Sequence, residues 1–111
     1  MPFPEEQIAE LKAFYREILA AQEGGITYLL LRDAGLPNGC TPPRMDLLLC
    51  PFDRDGYPSR LYFADRVQCR APLNWNGNVR VLERNWSAFS WKVAPGLRLL
   101  QMMQEHLRAL R

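Results

Sequence analysis

Three apolar runs bounded by turn residues constrain this chain more than any other feature. They are Ile26-Thr27-Tyr28-Leu29-Leu30-Leu31, Met45-Asp46-Leu47-Leu48-Leu49-Cys50-Pro51 and Leu61-Tyr62-Phe63-Ala64. Each is β-rich. The segments between them, Leu36-Pro37-Asn38-Gly39, Thr41-Pro42-Pro43 and Asp53-Arg54-Asp55-Gly56-Tyr57-Pro58, carry turn and loop chemistry. Consecutive strands at this spacing read as an antiparallel meander, with the second run buried along most of its length.

Helical signals flank the strands. Pro4 suits a first helical turn, and Glu5 and Glu6 favour a helix N-terminus. Apolar residues recur at Ile8, Leu11, Phe14 or Tyr15, Ile18 and Leu19, which predicts a helix stopped at Gly24-Gly25. After Pro95-Gly96, the residues Leu97, Leu100, Met103, Leu107 and Leu110 form one face of a second helix. Met102 and Met103 read as core filler. Between residues 65 and 85 the periodicity fails. Pro72, Gly77, Asn74, Asn76, Asn78 and Asn85 predict a long irregular stretch, with a short strand at Val79-Arg80-Val81. Trp75, Trp86 and Trp91 argue that this stretch is ordered, because large aromatics bury much area. The expected architecture is a single α+β domain over residues 1–111: a small antiparallel meander with an N-terminal and a C-terminal helix.

The 111 residues are 48% hydrophobic and 23% charged, within the range of soluble globular domains. No apolar run is long enough to span a bilayer. The start, Met1-Pro2-Phe3-Pro4-Glu5-Glu6, is acidic where a secretory signal would be basic and then apolar, so a cytoplasmic location is expected. A net charge of +2 is too weak a bias to indicate nucleic acid. Arg54, Arg60, Arg66, Arg70, Arg80 and Arg84 do cluster in sequence, either as a basic face for an acidic partner or as a solvated surface. Three cysteines without a CxxC pair, and a single histidine, fit neither a disulfide scaffold nor a tetrahedral zinc site.

Short motifs along this order are similar to the ubiquitin-conjugating enzymes. Tyr57-Pro58 stands where that family has its Tyr-Pro turn, Gly77-Asn78-Val79-Arg80-Val81 where it has Gly-x-Ile-Cys-Leu, and Trp86-Ser87-Ala88 where it has Trp-Ser-Pro. Cys69-Arg70-Ala71 replaces the family's His-Pro-Asn tripeptide, and Arg80 stands in the place of the catalytic cysteine. The chain also resembles the small prokaryotic relatives encoded beside ubiquitin-like proteins, activating enzymes and metallo-isopeptidases. The matching residues are Leu36-Pro37-Asn38-Gly39, Asp46-Leu47-Leu48-Leu49 and Trp86-Ser87-Ala88-Phe89-Ser90. The resemblance covers roughly Ile8 to Leu110. It implies a transferase that carries a ubiquitin-like protein as a cysteine thioester and passes it to an amine. It further implies an activating enzyme that meets the first helix, no metal or small cofactor, and a role in defence against phage.

Such chemistry needs an exposed thiolate and a donor aimed at the developing oxyanion. Arg80 cannot be the nucleophile, because a guanidinium stays protonated. Cys50 lies in an apolar strand and reads as core, and Cys40, which follows a turn glycine near the first hairpin, reads as topologically remote from the irregular loop. Cys69, between Arg66 and Arg70, is the candidate displaced nucleophile, with Asn74, Asn76 or Asn78 supplying the amide. His106 sits beside the apolar stripe of the last helix and reads as a helix-surface or packing residue rather than a catalytic base. A competing reading is an inactive family variant that binds a ubiquitin-like protein or scaffolds an active partner, with Trp75 and Trp91 as anchors. A weaker one is a single-strand nucleic-acid module stacking bases on Tyr62, Trp75 and Trp91.

Overall fold

The computed structural model describes residues 3–111. The described chain is α+β: helix α1 (Glu5–Lys12), strands β1 (Glu17–Glu23), β2 (Ile26–Gly35), β3 (Arg44–Cys50), β4 (Arg60–Phe63), β5 (Trp75–Val81) and β6 (Arg84–Phe89), and helix α2 (Leu99–Arg108). The strands form one antiparallel six-stranded sheet in the order β1-β2-β3-β4-β6-β5.

Two expectations are corrected. The first helix ends at Lys12, and the segment from Glu17 to Glu23 is an edge strand. Its residues are good helix formers, but pairing with β2 overrides that preference. Gly24 and Gly25, with φ of +60° and +77°, are the two central residues of the β1–β2 hairpin rather than a helix stop. Tyr15 and Ile18 of the expected helical stripe still reach the core, while Phe14 and Leu19 face outward.

The second correction concerns residues 65–85. Only the part up to Asn74 is irregular; the rest is the β5–β6 hairpin. In β5, the exposed Asn76, Asn78 and Arg80 alternate with partly buried Trp75, Gly77 and Val79. The asparagines are therefore the polar half of a strand, not loop markers. The hairpin turns at Leu82 and Glu83, with φ of 55° and 60°. Such a turn normally uses Asn and Gly, so its residues gave no signal.

The apolar runs are continuous because the sheet is covered on both faces. Leu29, Leu31, Leu47, Leu49, Leu61, Phe63 and Phe89 pack beneath the helices with Leu11, Met103 and Leu110. The opposite side chains of the same strands, Tyr28, Leu30, Leu48, Cys50 and Tyr62, form a second core with Val81, Trp86 and Ala88 of the hairpin. The hairpin curls over this face. Leu82 N–H donates to Glu23 Oε1 at 3.2 Å, Trp86 Nε1 donates to Val81 O at 3.0 Å, and Arg84 lies over the Trp86 ring. Burying a side chain as large as Trp86, fully enclosed here, contributes on the order of 3 kcal/mol. Asp46 ties the two halves together. It accepts from the Asp33 N–H at the β2 bulge and from Arg84, both at 2.8 Å. Burial works against the Asp46 carboxylate, but these bonds outweigh it and hold its pKa below the usual value.

The helices join end to side. Arg98 clasps Glu10 through two hydrogen bonds of 3.1 and 2.8 Å, and Gln7 Oε1 accepts the Leu99 N–H at the start of α2. Among the described residues no helix is long and apolar enough to cross a membrane.

Candidate functional site

Two segments meet where β2 and β4 leave the sheet. Thr41, in the β2–β3 connection, and Gln68, after β4, exchange both backbone hydrogen bonds, at 2.8 and 3.0 Å. The register of that antiparallel bridge sets Cys40 directly opposite Cys69, and their sulfurs lie 3.0 Å apart. Cys40 is buried, and Cys69 is half-buried against the helix-side core. The expectation that Cys40 is remote from the irregular loop is thus overturned. A meander places alternate connections at the same end of the sheet, and the strand order carried that signal.

The neighbourhood of Cys69 also differs from expectation. Burial, then the hydrogen bond and charge of Cys40, push the Cys69 thiol up to about 12. Arg66 and Arg70 do not offset this. The Arg70 side chain packs against Gly39 instead, where an added Cβ would fall 2.7 Å from its Nε. The candidate asparagines are engaged elsewhere. Asn76 Oδ1 accepts from the Arg60 guanidinium, and its amide donates to Tyr57 Oη at 3.3 Å. Asn78 Oδ1 accepts from Ser87 Oγ at 3.3 Å. Asn74 uses its carbonyl to receive the Ser90 N–H at 2.8 Å, and its side chain is exposed. Arg80 is exposed on the edge strand β5 and donates to Asn85 at 3.1 Å. Cys50 is sealed in β3, where burial raises its pKa.

A second polar cluster, unforeseen in the sequence, lies at the opposite end of the sheet. Ser59 Oγ and His106 Nε2 share a hydrogen bond of 2.9 Å, with both residues almost fully enclosed. Next to them Arg60, only 4% exposed, stacks over the Tyr57 ring at 4.3 Å, reaches Asp55 at 3.6 Å, and holds Asn76. Its Nε has no hydrogen-bond partner among the described residues. Gly77 makes room for this guanidinium, since a Cβ there would lie 2.8 Å from Arg60 Cζ. Ser59 also borders a cleft of about 550 Å³ between the β3–β4 connection and the start of α2. The pair is nonetheless a poor nucleophile and base. Burial and the nearby Arg60 charge lower the His106 pKa to about 4, so the imidazole resists the proton a general base must accept. The only earlier hint was His106 beside the apolar stripe of α2.

The arginines do not form one basic face. Arg54 stacks on Tyr28 and Tyr62, Arg60 is buried, and Arg84 is bound to Asp46. Tyr62 is enclosed and offers no stacking surface. Trp75 packs edge-on against Phe63 and Phe89, and Trp91 donates to Glu105 O at 3.0 Å, so both serve packing. Comparisons with protein-family models, with curated proteins and with solved structures find no match, which leaves the residues and their geometry to carry the functional reading.

Proposed function

We propose that this chain is a ubiquitin-conjugating-enzyme-like domain that binds a ubiquitin-like protein, or scaffolds its transfer, without carrying it as a thioester. The order of elements supports the fold part of this reading: a helix, the four-strand meander β1–β4 with Tyr57-Pro58 in its last connection, an irregular segment, the added hairpin β5–β6, and a closing helix. Arg80 supports the non-catalytic part, because an exposed guanidinium occupies the place of the family's cysteine.

The observation that carries the reading is the state of Cys69. Burial and the facing Cys40 hold this thiol well above its ordinary range, so little thiolate is present near neutral pH, and thioester formation needs the thiolate. No candidate asparagine amide bonds to it among the described residues. The transferase reading retains one favourable observation: Cys69 is the most accessible of the three cysteines. One experiment decides. The protein is mixed with a ubiquitin-like protein, an activating enzyme and ATP of the compact prokaryotic kind, then run on a gel without reductant and titrated by NMR. Binding without a thiol-labile band is expected. A thiol-labile adduct that survives Cys40→Ala but not Cys69→Ala would establish the transferase instead, and absence of any binding would remove both.

A further inference from the structure

We infer that Cys40 and Cys69 form a reversible dithiol–disulfide site that takes low-molecular-weight disulfides as oxidant and dithiols as reductant. Three independent observations place the site. The sulfurs are 3.0 Å apart. The backbone around them is fixed by the two hydrogen bonds of the Thr41–Gln68 bridge, which makes Cys40 and Cys69 a non-hydrogen-bonded cross-strand pair. In such pairs the opposing side chains approach most closely. Finally, the two thiols differ in access, with Cys69 partly open and Cys40 enclosed, as an attacking and a resolving sulfur need to be.

The reaction balances as two exchanges. The Cys69 thiolate attacks one sulfur of R–S–S–R, forms Cys69–S–S–R, and expels RS⁻, which takes up a proton. Cys40, on losing its proton, attacks the Cys69 sulfur and expels the second RS⁻. Two protein thiols are oxidised, one R–S–S–R is reduced to two RSH, and one Cys40–Cys69 bond remains. That bond would pin the segment after β4 to the β2–β3 connection and close a loop between positions 29 residues apart. The raised thiol pKa makes the first exchange slow near neutral pH and faster by roughly tenfold per unit of pH toward the thiol's own range. The inference shares its geometry with the non-catalytic reading above, but it stands whether or not any ubiquitin-like protein binds.

The test uses the full chain with oxidised glutathione at pH 8.5, acid quenching and intact mass, followed by peptide mapping. The expected product has lost two hydrogens, carries no glutathione, and links Cys40 to Cys69 with Cys50 free. Its Tm should rise by roughly 10 °C or more and return on adding dithiothreitol. Cys40→Ser should instead accumulate one stable glutathione adduct on Cys69, and Cys50→Ser should behave as wild type. As a check that needs no variant, phenylarsine oxide should bind the reduced wild-type chain once and block the oxidation. A wild-type product that keeps glutathione, a link through Cys50, a chain still reduced after prolonged exposure, or an unchanged Tm on oxidation would each overturn the proposal.

Discussion

Where β2 and β4 leave the sheet, two sulfurs touch across a short backbone bridge. Where β3 leaves and β4 begins, Ser59, Arg60 and His106 are enclosed with Tyr57 and Asn76 around them. Each end holds a group that usually does chemistry, and each suppresses its ionisation. At the sulfur end, burial and a neighbouring thiol raise Cys69 to about 12. At the other, burial and a neighbouring cation lower His106 to about 4. The difference lies in what remains possible. The thiols have a covalent product available without unfolding, whereas the enclosed Ser59–His106 pair has only its shared hydrogen bond. We read the first end as a reactive site and the second as a structural clamp.

The largest expected effect falls on the clamp. Arg60→Ala should cost roughly 3 kcal/mol in urea unfolding, through the cavity that loss of this enclosed side chain leaves beside Tyr57. Arg60→Met, which keeps volume without charge, should recover most of that loss. Both variants should raise the His106 pKa, read by NMR titration, because a positive charge is removed. An unchanged pKa would separate the cation from the imidazole and break the clamp reading.

The next effect is a pH dependence. The folded-state pKa of His106, about 4, lies below its ordinary value near 6.5. Well above pH 6.5 the imidazole is neutral in both states and contributes no slope. As pH falls from 6.5 toward 4, the unfolded chain takes up a proton that the folded chain refuses, and about 3 kcal/mol of stability is lost. Denaturation midpoints across this window should fall in wild type and flatten in His106→Gln. An equal slope in the variant would show that His106 is not the group responsible; Asp46, whose pKa is lowered, acts only at more acidic pH.

The smallest stability effect belongs to the sulfur end. Cys40→Ser should cost about 1 kcal/mol, since one buried small side chain replaces another with a more polar atom. Its kinetic signature should be larger. Without the sulfur of Cys40 as a partner, Cys69 should ionise more readily and react with iodoacetamide at pH 8 at least several-fold faster than in wild type. An unaltered rate would show that burial alone, not the paired sulfur, governs Cys69.

The strands from Ile26, Met45 and Leu61 and the amphipathic face of α2 were legible because their periods persist in any context that buries an apolar surface. Residues 17–23 favour a helix by local preference, and only pairing with β2 makes them a strand. The β5–β6 hairpin was hidden because Leu82 and Glu83 adopt left-handed backbone conformations without the usual turn residues. Cys69 stood out by its place after β4, but its partner did not, since Cys40 is 29 positions away and no local pattern links them.

By itself the amino-acid order determined an α+β domain with a buried meander, one enclosed strand cysteine and no thiol at position 80. Tertiary structure alone decided the edge strand, the curled hairpin, the pairing of Cys40 with Cys69, and the charge environment of His106. The reason is physical. Periodicity reports which face of a segment meets the core, whereas reactivity depends on which distant atoms share a few cubic ångströms, and that is set only when the segments pack.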